Sequence, residues 1–155
     1  MNACVHRTKT AEWARELGLG EPAAQAIAAA DLAADGPGFP RNRYHLRPPL
    51  LLGRDRRGPV AAAHLEQAAQ AAGEGDCPRA WEQLGYGLHA LQDQAAHGGW
   101  WLLGIHWGPW LDDPERTFLG GRDREHRRLQ AVARVTKDYL EQALSRPELA
   151  ACLLA

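Results

Sequence analysis

Three polar side chains recur at four-residue intervals in one segment of the chain: His89, Asp93 and His97, in His-Ala-Leu-Gln-Asp-Gln-Ala-Ala-His. On an α-helix each such step turns a side chain by only about 40°, so all three project from one face. Leu84, Leu88, Leu91 and Ala95 flank the stripe, which places it in or beside a core rather than simply toward water. Polar groups withdrawn from water need partners, and two imidazoles with a carboxylate form a usual donor set for Zn²⁺. The competing reading of this triplet taken by itself is a solvated helix face.

Other histidines extend the pattern. The chain has seven. His45 follows a stretch rich in Gly, Pro and Arg, and Asp31 precedes it by 14 residues. His6 comes before the first expected helix, and His106 lies among tryptophans with Asp112-Asp113 after it. Each element therefore offers a His or Asp at or near an end, where convergence on one helix face is possible.

The elements that must position these groups are helices. Alanine occurs 28 times, while Val, Ile and Thr together number ten. That balance favours helix over strand. Ala11, Trp13, Ala14 and Leu17 have helical spacing, and Gly18 and Gly20 end that segment. Glu21-Pro22 opens a second helix running to about Ala34, and a third covers about 59–73. Asp76-Cys77-Pro78 signals the start of a fourth helix, which ends near His97. A fifth covers about 122–145, and a short terminal helix follows Ser145-Arg146-Pro147. With 155 residues and no internal repeat or linker, the expectation is an all-α, single compact multi-helix domain over 1–155.

Several function classes are excluded. Eighteen basic residues stand against 19 acidic, so net charge does not suggest a polyanion-binding surface. No apolar run reaches the roughly 20 residues of a membrane span, and the first residues carry no apolar signal-peptide region. Stable membrane insertion is therefore not expected. The cytoplasm is one expected location, with export by a route that needs no N-terminal peptide left open. There is no adjacent His-Asp pair for an HD-type phosphohydrolase, no Glu-x-x-His pair for a di-iron bundle, and no Walker loop. Cys4, Cys77 and Cys152 are odd in number with no C-x-x-C spacing; they read as isolated thiols in a reducing compartment.

His89 and Asp93 lie in the frame Leu-Gly-Tyr-Gly-Leu-His89-Ala-Leu-Gln-Asp93, with Asp31 and His45 before it and Arg128-Leu129-x6-Thr136-x2-Tyr139-Leu140 after it. This ordered series resembles the zinc-dependent phospholipase C and single-strand nuclease superfamily. It is most similar to that group's compact bacterial, Het-C-like and toxin-associated branches. The resemblance implies an all-helical, phospholipase C/nuclease-like fold. It further implies a zinc-dependent hydrolase acting on phosphodiesters, either phospholipid or single-stranded nucleic acid, through two or three Zn²⁺ ions. His45, His89 and Asp93 would hold one zinc, with Asp93 bridging to a second bound by His6. His97, His106 and Asp112 (or Asp113) would hold a third. Asp31 would be a ligand or the general base. Such chemistry suits metals because a phosphodiester is an anion that repels hydroxide, and paired zincs neutralise its oxygens. The alternative is a non-catalytic metal-binding or degenerate helical interaction domain, and no obligate protein partner is evident.

Other residues read more plainly. His64 and His126 are expected on exposed helix surface. Trp100, Trp101, Trp107 and Trp110 would cover the core and metal site, or form a rim for a lipid tail or base. Arg41, Arg43, Arg47, Arg54, Arg56 and Arg57 form a solvated loop cluster or a phosphate-steering one.

Overall fold

The computed structural model describes residues 5–36, 39, 55–97 and 121–155, apart from the side chains of residues 97 and 121–125. Among these residues the regular structure is helical and no strand occurs. A π-helical turn, Val5–Lys9, leads directly into α1, Thr10–Glu16. Then come α2 (Glu21–Ala33), α3 (Arg57–Gly73), α4 (Cys77–His97), α5 (Gly121–Leu144) and α6 (Pro147–Leu153).

The boundaries have local causes. Gly18 and Gly75 adopt positive φ (85° and 82°) just beyond α1 and α3. Glycine reaches this left-handed region without a Cβ clash and so closes a helix cheaply. Asp76 caps α4, its Oδ1 accepting the Arg79 N–H at 3.1 Å. Ahead of α3, Asp55 Oδ1 accepts the N–H of its first residue, Arg57, at 3.1 Å. Prolines stand in the first turns of α2 and α6, where a missing N–H is harmless. The π-turn was not foreseen in the sequence, which places His6 simply before the first helix.

Helix α4 is the central element, packed against α2, α3, α5 and α6. The main core gathers Ala14, Ala23, Ala24, Ile27, Leu65, Leu84, Leu88, Leu140, Leu149 and Leu153, with alanines of α3 between them. A smaller cluster of Trp13, Ala96 and Val132 joins α1, α4 and α5. Small side chains let helices approach closely, and Gly85 marks a close approach of α4 to α2. A Cβ there would come within 2.5 Å of Ala30 Cβ and of the Ile27 carbonyl oxygen, and within 2.8 Å of the Asp31 amide nitrogen. One helical turn beyond Gly85 stands His89, so this contact sets Asp31 beside His89.

The cysteine expectation is corrected. Cys77 and Cys152 form a disulfide, their Cα atoms 5.3 Å apart and 75 residues apart in sequence. It ties the start of α4 to the end of α6, where Trp81 Nε1 also donates to the Cys152 carbonyl at 3.0 Å. Disulfides persist in oxidising surroundings, so the reading of a reducing compartment is set aside. Cys4 lies outside the described residues. No helix among the described residues is long and apolar enough to cross a membrane.

Candidate metal centre

Four elements bring polar groups to one buried point. The π-turn carries His6, α1 carries Thr10, α2 carries Asp31, and α4 carries His89 and Asp93. All are buried, His6, Thr10, Asp31 and His89 completely. Asp31 Oδ1 lies 2.8 Å from His6 Nδ1 and 3.1 Å from His89 Nδ1. The two imidazole rings face each other with centroids 4.5 Å apart. Donor atoms of His6, Asp31 and His89 all lie within 4.8 Å of one another, a grouping able to hold a metal ion.

A second carboxylate approaches from the far side of the rings. Asp35, just beyond the end of α2, sets its oxygens 3.9 Å from His6 Nε2 and 3.6 Å from His89 Nε2. Asp93 Oδ2 stands 3.9 Å from His89 Nε2. His6 Nε2 is buried with no hydrogen-bond partner. Burial alone would depress the His6 pKa, but the Asp31 hydrogen bond and the charges of Asp31, Asp93 and Asp35 outweigh it and hold the imidazole above its ordinary value.

A chain of hydrogen bonds supports the centre from behind. Thr10 Oγ1 donates to Asp31 Oδ2 at 2.8 Å. Gln92 Nε2 donates to Thr10 Oγ1 at 2.9 Å and to Thr136 Oγ1 at 3.1 Å, and the Thr136 hydroxyl donates to the Val132 carbonyl at 2.8 Å. Helix α5 is thereby tied to the His–Asp cluster through a fully buried glutamine.

Arg57 holds the other flank, and its behaviour departs from the loop-cluster expectation. It is 1% exposed. Its Nε and Nη2 donate to the two oxygens of Asp55 at 3.0 and 2.8 Å, and Nη1 donates to the Asp93 carbonyl at 3.0 Å. A guanidinium so occupied fixes the backbone beneath Asp93 and is not available to steer phosphate. Arg41, Arg43, Arg47 and Arg54 lie outside the described residues.

The expected site residues are thus divided. His6, Asp31, His89 and Asp93 come together. His97 ends α4, and its side chain lies outside the description. His45, His106, Asp112 and Asp113 lie outside the described residues, as do the four tryptophans between them. Asp35, Thr10 and Gln92 were missed. Asp35 had a readable signal, because Asp31-x-x-x-Asp35 repeats, at the end of α2, the four-residue step of His89 and Asp93. His64 is also corrected: it is partly buried, its Nδ1 2.7 Å from Gln83 Oε1 and its ring edge-on to Tyr86. His126 is exposed, as expected, beside Gln130.

The donor chemistry suits a borderline divalent cation: imidazole nitrogens and carboxylate oxygens within a few ångströms, and one buried imidazole nitrogen without a hydrogen-bond partner. The chain matches no known family model, no curated protein and no solved structure.

Proposed function

We propose that the chain is a zinc-dependent hydrolase of phosphodiesters. The observation that carries this reading is the meeting of two fully buried imidazoles on one buried carboxylate, with His6 Nε2 lacking any hydrogen-bond partner. A purely structural histidine pair would be expected to satisfy both ring nitrogens of each residue, since an unmet buried polar atom costs about 1–3 kcal/mol. His6 and His89 would hold the ion together with the carboxylates around them. When bound, zinc supplies Lewis acidity toward a phosphoryl oxygen and makes water a competent nucleophile near neutral pH.

The protein groups have separate tasks. Asp31 fixes both ring orientations, Thr10 and Gln92 fix Asp31, and Arg57 fixes the helix segment that carries Asp93. Such support keeps donor atoms in place without reorganisation when substrate arrives. The ordered resemblance of His89, Asp93, Asp31 and Thr136 to the zinc-dependent phospholipase C and single-strand nuclease superfamily favours phosphodiesters as the substrate class.

The test is metal analysis of protein purified without chelator, coupled to assays on a simple phosphodiester, phospholipid vesicles and single-stranded nucleic acid. Bound zinc is expected, with hydrolysis in at least one assay that chelation removes and zinc restores. The assay that responds separates lipid from nucleic acid. His89→Ala should lose both zinc and activity. Protein holding no zinc, before and after incubation with it, would sink the reading.

A further inference from the structure

Two aspartates four residues apart, Asp31 on α2 and Asp35 just past its end, approach the same pair of imidazoles from opposite sides of the rings. We propose that Asp35 is a direct metal ligand and Asp31 a positioning residue, with the ion bound on the Nε2 side of His6 and His89. This rests on the metal-dependent reading above.

The distances divide the two carboxylates. Asp31 Oδ1 stands 2.8 and 3.1 Å from the two Nδ1 atoms, which are N–H···O lengths. Its other oxygen accepts the Thr10 hydroxyl. Three protein donors therefore meet this carboxylate inside a fully buried pocket. An imidazole that keeps its proton on Nδ1 presents the lone pair of Nε2, and a carboxylate behind Nδ1 is the usual means of fixing that tautomer in metal-ligating histidines. An ion between Asp31 and the Nδ1 atoms would require both protons to leave and both hydrogen bonds to break.

Asp35 is differently placed. Its oxygens stand 3.6 and 3.9 Å from the Nε2 atoms, too far for hydrogen bonds. Neighbouring donors around a tetrahedral zinc with bonds of about 2.0–2.1 Å lie roughly 3.3 Å apart, so Oδ2 beside His6 and Oδ1 beside His89 would each move inward to close this side on an ion. Asp93 Oδ2, 3.9 Å from His89 Nε2, faces the same side. The buried, unsatisfied His6 Nε2 points to that side as well. Asp35 is also 42% exposed while the Asp31 and both histidine side chains are fully enclosed. Among the described residues the centre thus meets solvent at Asp35, which gives ion and substrate an approach.

Cobalt(II) titration followed by visible absorption tests the assignment without any enzyme assay, with zinc competition giving affinities. Asp35→Asn should weaken Co²⁺ binding by more than about 100-fold and shift the ligand-field bands, whereas Asp31→Asn should weaken it about 10–100-fold with the bands unmoved. Asp35→Glu should restore much of the affinity and the original bands. Metal-free Asp35→Asn should melt at the wild-type temperature, since its side chain is half open to water. Wild-type affinity and spectrum in Asp35→Asn would overturn the proposal while leaving a metal-dependent enzyme intact. Wild-type protein that takes up neither Co²⁺ nor Zn²⁺ would remove both.

Discussion

Asp31 is the residue on which the centre turns, because one buried carboxylate accepts from three side chains on three different elements. Removing any donor leaves part of a charge unsolvated. Thr10→Val keeps the shape of the side chain but deletes the hydroxyl, so Asp31 Oδ2 and Gln92 Nε2 each lose a partner. A loss of about 1–3 kcal/mol is expected, read as a lower urea midpoint at unchanged slope. His64 makes a separate prediction. Burial holds its imidazole below the ordinary 6.5, against the opposing pull of the Gln83 hydrogen bond. The folded value is therefore below the unfolded one, and as pH falls the unfolded chain takes up this proton first. Stability from His64 is full above pH 6.5 and drains away as the pH drops below it. His64→Leu should show a shallower fall between pH 6.5 and 5 than wild type in parallel urea titrations; equal slopes would contradict this.

Within single elements the sequence was informative. Hydrophobic spacing and capping residues located α1, α2, α4 and α6 closely, because those signals are local and act within a turn or two. Helix α3 starts at Arg57 rather than 59 because Asp55 accepts the Arg57 N–H and binds the Arg57 side chain. Contacts between elements were harder to read. His89 and Asp93 were legible as one helix face, but their meeting with Asp31 depends on how closely α4 lies against α2, and that is set by an absent side chain at Gly85. The Gln92 relay was invisible for the same reason, since its partners lie 82 and 44 residues away. Gly85→Ala should cost about 1–3 kcal/mol by forcing the two helices apart, although alanine exceeds glycine in intrinsic helix preference by about 1 kcal/mol. Thermal melts measure the first effect. Zinc affinity should fall too, because the displaced backbone carries Asp31; an unchanged affinity would separate the packing from the site. The π-turn is the other unforeseen element. Deleting Arg7 should rewind it by one residue, swinging His6 by about 100° away from Asp31 and abolishing Co²⁺ uptake at nearly unchanged helical circular dichroism.

Over the whole molecule, core alanines and leucines supply the packing, while one covalent tie links α4 to α6. Cross-linking residues 75 apart in sequence should stabilise the folded state by about 4 kcal/mol in the chain-entropy account. Comparing urea midpoints of the oxidised protein with Cys77→Ser/Cys152→Ser measures it. Equal midpoints would show that the bridge adds nothing beyond the core. The sequence could not reveal this pairing, because an odd cysteine count with wide spacing names no partners. The bridge also changes what a break in the backbone does. Helices α4 and α5 and the start of α6 all lie within the segment it closes. A protease that cuts one peptide bond between Cys77 and Cys152 therefore nicks the molecule without releasing a fragment. The nicked species should migrate near full length on a non-reducing gel and resolve into two pieces only after a thiol is added.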